Sequence, residues 1–259
     1  MFQDPDDDSD HIDNIQEISL GDGYCFKLSV SEDEFNNGKK SLFATHIWSG
    51  SIKLAEKLIL HGESIQGKSV LEFGAAAGLP SLVCGRLGAQ LICSSDYPSS
   101  SVMHNLEQNI VRNASCSEDN KDRAAPPHEV GTSFVMRPKH HTVEHIWGES
   151  VEPLLAVNQQ LRYDVLVAAE CIWKQSSHDV FIMSIINTIT KGGHLFLSFS
   201  HHIPGREQDN YNFIDQLYKK GFSLTFEYCV PAKHMWTDRL VDMYIYVLCY
   251  DGCSAEGQM

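Results

Sequence analysis

Short apolar runs alternate with amphipathic stretches along most of this chain, and the alternation predicts a parallel sheet with helices packed on it. Residues 70–73, 91–95, 165–169 and 194–200 read as strands, with 142–146 as a shorter one. The 165–169 run is almost continuously apolar, as central parallel strands are. Between them, residues 42–60 repeat apolar positions at helical spacing through Ile47, Ile52, Ala55, Leu58 and Ile59. Pro80 suits the first turn of a helix running to about residue 86. Further helices are predicted over 100–110, over 181–190 with a stop at Gly192-Gly193, and over 211–220 with a stop at Gly221. Ahead of the alternation, residues 18–30 read as a hairpin turning at Gly21-Asp22-Gly23, with 24–28 as its second strand. Two consecutive strands, 223–230 and 243–250, close the pattern. Residues 113–139 are polar, carry Pro126-Pro127 and read as a long loop or insertion. Residues 1–14 are Asp-rich and predict disorder, 15–250 form a single domain, and 251–259 a loose tail.

The densest chemistry lies at Val70-Leu71-Glu72-Phe73-Gly74-Ala75-Ala76-Ala77-Gly78 and at Asp96, which closes the next apolar run. A strand enters a turn of glycines and small residues, a helix follows, and a second strand ends in a carboxylate. That order suits a crevice for an adenosine-containing cofactor. Gly74 and Gly78 can take positive φ or let backbone approach a ligand, and Ala75, Ala76 and Ala77 keep the wall thin. Asp96 is placed to accept the hydroxyls of a ribose. Of three cofactors, a nucleoside triphosphate would need G-x-x-x-x-G-K-[ST], which is absent, and a dinucleotide would need G-x-G-x-x-G, which Gly74-x-x-x-Gly78 does not match. S-adenosylmethionine remains. It has no pyrophosphate but carries an ammonium and a sulfonium, and Glu72 puts negative charge beside that end. A glycine pair alone occurs more often at strand–helix corners that bind nothing. Glu72, the glycines and Asp96 in order and at βαβ spacing favour the cofactor.

Composition narrows the class. A chain of 259 residues can bury the core of one large α/β domain. The sequence has no apolar run of bilayer-spanning length, and its acidic start lacks the basic-then-apolar order of a signal peptide. The eight cysteines form no C-x-x-C pair, and several sit inside apolar runs, which points to a reducing compartment and a cytoplasmic location. With 34 acidic against 20 basic residues the formal charge is −14, a surface that disfavours nucleic acid. It would suit a basic partner, and solubility alone explains it equally well. His140, His141 and His145 lack a carboxylate or thiol to complete a metal set, so no metal is expected.

Glu170 stands just past the 165–169 strand, at the carboxyl edge where open sheets bind ligands, and can hydrogen-bond and orient an incoming amine. A solvated strand-end carboxylate is the alternative. His201-His202-Ile203-Pro204 follows a strand at the same edge. One of these imidazoles lines the acceptor pocket or relays a proton, or both are exposed loop residues. Cys171 lacks a paired base and reads as packing.

Strands alternating with helices and closed by two consecutive strands resemble the class I methyltransferase arrangement. The residues that carry a narrower resemblance are Thr45-His46-Ile47-Trp48, the 70–74 segment, Ser95-Asp96-Tyr97-Pro98, His145-Ile146-Trp147-Gly148, Ala168-Ala169-Glu170-Cys171-Ile172-Trp173, His178-Asp179 and Ser200-His201-His202-Ile203-Pro204. The chain resembles methyltransferase family 16, the seven-strand lysine methyltransferases, and within it the nicotinamide-methyltransferase-like branch whose members methylate elongation factor 1-alpha. The resemblance implies a seven-stranded, mostly parallel sheet with helices on both faces and the last strand antiparallel. It implies S-adenosylmethionine as cofactor and a protein amine as acceptor; with the composition above, a monomer without a nucleic-acid or membrane partner is expected. It places Trp147 against the adenine, Trp48 at the front of the cofactor, and Ala169 at a small position facing it. Glu170 and Trp173 become the catalytic acidic-x-x-aromatic pair, although relatives usually carry Tyr or Phe at the second position, and a core aromatic packed under the sheet edge is the other reading of Trp173. A small-molecule N-methyltransferase and a non-catalytic cofactor-binding scaffold are the competing readings.

Overall fold

In the computed structural model of the protein, residues 15–31, 44–115, 138–234, 237 and 239–252 are described. The predicted disordered stretch 1–14, residues 116–137 of the expected insertion, and 253–259 of the tail lie outside them.

The chain opens with an antiparallel hairpin, β1 (Gln16–Ser19) and β2 (Cys25–Leu28), around a turn in which Gly21, Asp22 and Gly23 all take positive φ. Helix α1 (Ser49–Leu60) follows, and then β3 (Ser69–Phe73), α2 (Leu79–Arg86), β4 (Leu91–Asp96), α3 (Ser100–Ser115) and β5 (Lys139–Glu144). A short α4 (Glu152–Val157) leads to β6 (Tyr163–Ala169), α5 (His178–Thr188), β7 (Ile189–Ser200), α6 (Glu207–Lys219), β8 (Phe222–Lys233) and β9 (Leu240–Tyr250). The main sheet has seven strands in the order β5-β4-β3-β6-β7-β9-β8. The first five are mutually parallel, while β9 runs antiparallel between β7 and β8.

Strand alternation divides the core into two layers. Leu71, Phe73, Leu166 and Ala168 face one side, where Leu154 of α4, Phe181 and Ile185 of α5 and Phe213 of α6 bury against them. Val70, Val165 and Val167 face the other, with Leu54 and Leu58 of α1 and Leu82 and Val83 of α2. The hairpin is fastened from outside by amides on α3. Asn113 pairs with both backbone groups of Lys27, and Asn109 pairs with both of Ser29 and also donates to Ala77 O at 3.1 Å. Those bonds tie the hairpin, α3 and the glycine turn into one unit. Among the described residues no helix is long and apolar enough to cross a membrane.

Four expectations need correction. The first helix starts at Ser49 rather than near residue 42, because the apolar positions at 44–47 pack without helical backbone. The helix predicted over 181–190 ends at Thr188, where Ile189 turns extended (φ −84°, ψ 139°) and begins β7. Gly192-Gly193 therefore is not a helix stop. Pairing jumps from Tyr163↔Ile189 to Val165↔His194, so the two glycines form an irregularity inside the strand, and a Cβ on Gly193 would lie 2.8 Å from Asp164 O. Residues 113–115, assigned to a loop, belong to α3, and Lys139 to β5. Helix α4, with a proline in its first turn, was not anticipated.

Candidate functional site

Four neighbouring strands, β4, β3, β6 and β7, end at one edge of the sheet, and the candidate residues gather there. The turn after β3 carries three left-handed residues, Gly74 (φ +62°), Ala76 (+47°) and Gly78 (+80°). The glycines are required by packing as well as by φ. A Cβ on Gly74 would stand 2.9 Å from Cys171 Sγ, and one on Gly78 2.6 Å from Leu106 Cδ1. Ala76 is strained for an L-residue, and its N–H donates to Asp96 Oδ2 at 2.7 Å. Asp96 Oδ1 accepts the Tyr97 N–H at 2.6 Å. Each carboxylate oxygen thus holds one backbone donor and retains a second acceptor direction. Burial raises the Asp96 pKa, against these two N–H bonds.

Glu72 projects into the same crevice from within β3 and is 1% exposed. Its Oε2 accepts the Ser81 N–H at 2.9 Å. Burial pushes its pKa up to about 8, the bonds from Ser81 oppose the shift, and Asp96 adds to it. Ser94 Oγ in turn donates to Ser81 Oγ (2.6 Å) and pairs with His140 Nε2 (2.7 Å). Burial pushes His140 down to about 4, so this polar chain ends in a neutral imidazole near pH 7.

The crevice is lined by Glu72, Gly74, Ala75, Ala76, Ala77, Gly78, Ala169 and Trp48, all anticipated, and by His46, Ile47, Ser51 and Leu79. Trp48 is the residue immediately before α1. Trp147 stands beside the turn, its Cζ2 3.7 Å from where a Gly74 Cβ would be, and packs on Phe181 with ring centroids 4.3 Å apart and the rings tilted by 31°. Asp96 joins the lining through Ala76 rather than directly.

Glu170 begins the loop after β6 in a left-handed conformation (φ +56°) and is 7% exposed. Its N–H donates to Ser198 O at 2.9 Å. Its carboxylate accepts from Ser200 N (3.2 Å) and Ser200 Oγ (3.3 Å) and pairs with His202 Nε2 at 2.8 Å. The first turn of α1 presses on it so closely that a Cβ on Gly50 would lie 2.4 Å from Glu170 Cγ. Trp48 stands T-shaped to the His202 ring at 5.5 Å. The acid therefore sits in a pre-formed cluster beside the crevice. Trp173 does not line the crevice but stands 40% exposed on the loop that follows. Cys171 is packed under the turn, its Sγ donating to Phe73 O at 3.3 Å.

Gly50 and Ser81 carry no local signature in the sequence, and Ser200 stands in the 200–204 motif without a role of its own. Their importance comes from what the fold places opposite them. His202 was one of two imidazoles that sequence could not separate. His201 instead pairs with Tyr211 Oη at 3.3 Å.

An adenosylated sulfonium fits this edge. The walls are small or apolar, Asp96 has free acceptor directions, and Glu72 is a buried acid with no cation beside it among the described residues. No family model matches the chain. The chain is 29% identical over 171 residues to the protein N-terminal and lysine N-methyltransferase EFM7 of Kluyveromyces lactis, covering 64% of this chain and 61% of that one. It is 26% identical over 192 residues to efm7 of Schizosaccharomyces pombe (72% and 68% covered) and 29% identical over 192 residues to efm7 of Neurospora crassa (71% and 63% covered). The chain thus spans about three fifths of the Kluyveromyces and Neurospora relatives, 61% and 63% of their lengths. Among solved structures it superposes on SMU.776, described as a candidate methyltransferase and complexed with SAH, with TM-score 0.56 at 13% identity over 91% of this chain and 56% of that one. It also superposes on the branched-chain polyamine synthase of Thermus thermophilus with TM-score 0.56 at 10% identity over 80% and 57%. The fold is that of the class I S-adenosylmethionine-dependent methyltransferases.

Proposed function

We propose that this chain methylates an amine of a protein, a lysine side chain or an N-terminus, with S-adenosylmethionine as donor and elongation factor 1-alpha as the leading acceptor. The observation that carries the reading is the meeting of Glu72, the 74–78 turn and Asp96 at the carboxyl edge, in a chain similar to named protein N-terminal and lysine N-methyltransferases.

Bound there, the donor supplies an electrophilic methyl group, so the protein needs to align an amine, exclude water and take up a proton. Asp96 would hold the ribose with its two free acceptor directions, and Glu72 would answer the cationic end. Trp147 would flank the adenine, while Trp48 and Ala169 would close the front. Glu170 orients the amine through the imidazole it holds, and Trp173 offers an aromatic face to the arriving chain. A lysine near its ordinary pKa of about 10.4 is almost wholly protonated at neutral pH, so the site has to favour the neutral nucleophile. The six described cysteines are all free, which supports a cytoplasmic location.

The test is labelling with tritiated methyl donor in a lysate from cells lacking the protein. We expect label in a band at the mass of elongation factor 1-alpha, lost with Glu170→Ala. Label confined to the small-molecule filtrate would replace the protein acceptor by a small amine, and no label in any fraction would leave a binding scaffold.

A further inference from the structure

Among the described residues, one buried side-chain nitrogen or oxygen finds no hydrogen-bond partner, and it is Nδ1 of His202. Buried polar atoms are nearly always satisfied, so an orphan beside a functional site marks a partner that arrives from outside the chain. The ring is held on its other side. Nε2 lies 2.8 Å from Glu170 Oε2 and 3.2 Å from Ser200 Oγ. A carboxylate only accepts, so this contact makes Nε2 the protonated nitrogen of the neutral ring and leaves the lone pair on Nδ1. Trp48, which lines the crevice, stands across the same ring.

We propose that Nδ1 of His202 receives the proton of the acceptor ammonium, with Glu170 holding the imidazole from behind. This inference rests on the protein-amine reading above. The ammonium N–H bond breaks, its electron pair stays on the amine nitrogen, and the proton bonds to Nδ1. The resulting imidazolium is neutralised by the Glu170 carboxylate. The amine lone pair then forms the new N–C bond as the methyl group's bond to sulfur breaks, its electron pair going to the sulfur. The methylated ammonium departs and His202 returns its proton to water.

Electrostatics agree with the geometry. Burial opposes a charged His202, but the hydrogen bond and charge of Glu170 outweigh it and raise the pKa. The charged and titratable groups that bear on the ring are Glu170 and, one residue away, His201. The role also accounts for the strain at Glu170. Its left-handed backbone turns the carboxylate away from β6 toward Ser200 and His202, where a residue in extended backbone would continue the strand.

The experiment follows the His202 imidazole by nuclear magnetic resonance through a pH titration, in the wild type and in Glu170→Gln. In parallel it measures the pH profile of methyl transfer to purified elongation factor 1-alpha. We expect the His202 pKa to fall in Glu170→Gln, and the acidic limb of kcat/KM to fall with it. In His202→Gln the limb should vanish and kcat should drop about 100-fold, while S-adenosylhomocysteine binding by calorimetry stays unchanged. His202→Asn serves if the glutamine variant fails to fold. Wild-type kcat and limb in a folded His202 variant would overturn the proposal. So would a limb that stays fixed while the His202 pKa moves. If the wild type labels no protein, the functional reading fails instead, whatever the titration shows; a His202 pKa unmoved by Glu170→Gln would discard the dyad on its own.

Discussion

Replacing Glu72 by Gln tests whether the crevice is built for a cation. The buried carboxyl has its pKa pushed up to about 8, far above the ordinary value of about 4.3. The folded protein therefore holds a proton that the unfolded chain releases. The fold bears no cost from this group below the unfolded pKa, and stability is lost as pH rises from there toward 8. At pH 7 the gap spans about 2.7 pKa units and is worth about 3.5 kcal/mol at roughly 1.4 kcal/mol per unit. Glutamine keeps an oxygen for the Ser81 N–H and cannot ionise. Its rearranged bonds to Ser81 should cost about 1 kcal/mol. The variant should thus be about 2.5 kcal/mol more stable than the wild type at pH 7 and equal or slightly less stable near pH 5. In thermal unfolding that is a gain of roughly 5–10 °C at the higher pH. Comparing variant with wild type at each pH cancels the titrating groups that do not interact with Glu72. A difference that stays constant between about pH 5 and pH 8 would refute the reasoning, since Glu72 would then not change charge in that window. The same substitution should weaken S-adenosylmethionine binding. The wild type should release up to about one proton on binding, read from calorimetry in buffers of different ionisation enthalpy, and Glu72→Gln none.

Asp96→Ala should weaken S-adenosylhomocysteine by about 1.5–3 kcal/mol, the usual range for bonds to a charged group, and tighter binding of NAD than of S-adenosylhomocysteine in calorimetry would contradict the cofactor assignment. Asn109→Ala takes the amide partner from the Ser29 N–H and from Ala77 O, while Ser29 O keeps the Asn105 amide. We expect a loss of about 1–3 kcal/mol in denaturant unfolding and weaker cofactor binding. Gly50→Ala drives a Cβ into Glu170. Methyl transfer should fall at least 10-fold, as for loss of a positioned group, with cofactor affinity little changed; undiminished turnover would mean that Glu170 can move without consequence.

The strands and the edge they define were readable because burial on both faces makes a strand continuously apolar, as at Val165–Ala168, and because a left-handed turn demands glycine, as at Gly74 and Gly78. The end of α5 was misplaced for the same reason in reverse. Gly192-Gly193 looks like a helix stop in one dimension, while the extended backbone at Ile189 and the jump in pairing with β6 exist only in three. Helix α4 is six residues long, too short to show a period. Within the site, residues whose chemistry is intrinsic could be found, namely Glu72, Asp96 and Glu170. Residues whose value lies in being opposite something could not. Gly50 matters because Glu170 fills the space a side chain would take, and Ser81 because its N–H meets Glu72 across nine residues of turn and helix.

The three acids also explain one another. Each leaves the sheet at the end of a neighbouring strand, Asp96 on β4, Glu72 on β3 and Glu170 after β6, and all three add to the effect of burial in raising the pKa of the same thiol, Cys171. Like charges gathered at one poorly hydrated edge repel, and burial raises the cost of each. The chain offsets that cost with backbone donors from Ala76, Tyr97, Ser81 and Ser200, and with one imidazole. Neither Glu72 nor Asp96 is paired with a lysine or arginine among the contacts described, and burial raises the pKa of both. An edge meant only for stability would place a cation there, or no acids at all. An edge with buried acids held by dipoles is poised for a positive ligand to complete it. A sulfonium donor and an ammonium acceptor would each supply the missing charge, the first between Asp96 and Glu72, the second beside Glu170 and His202.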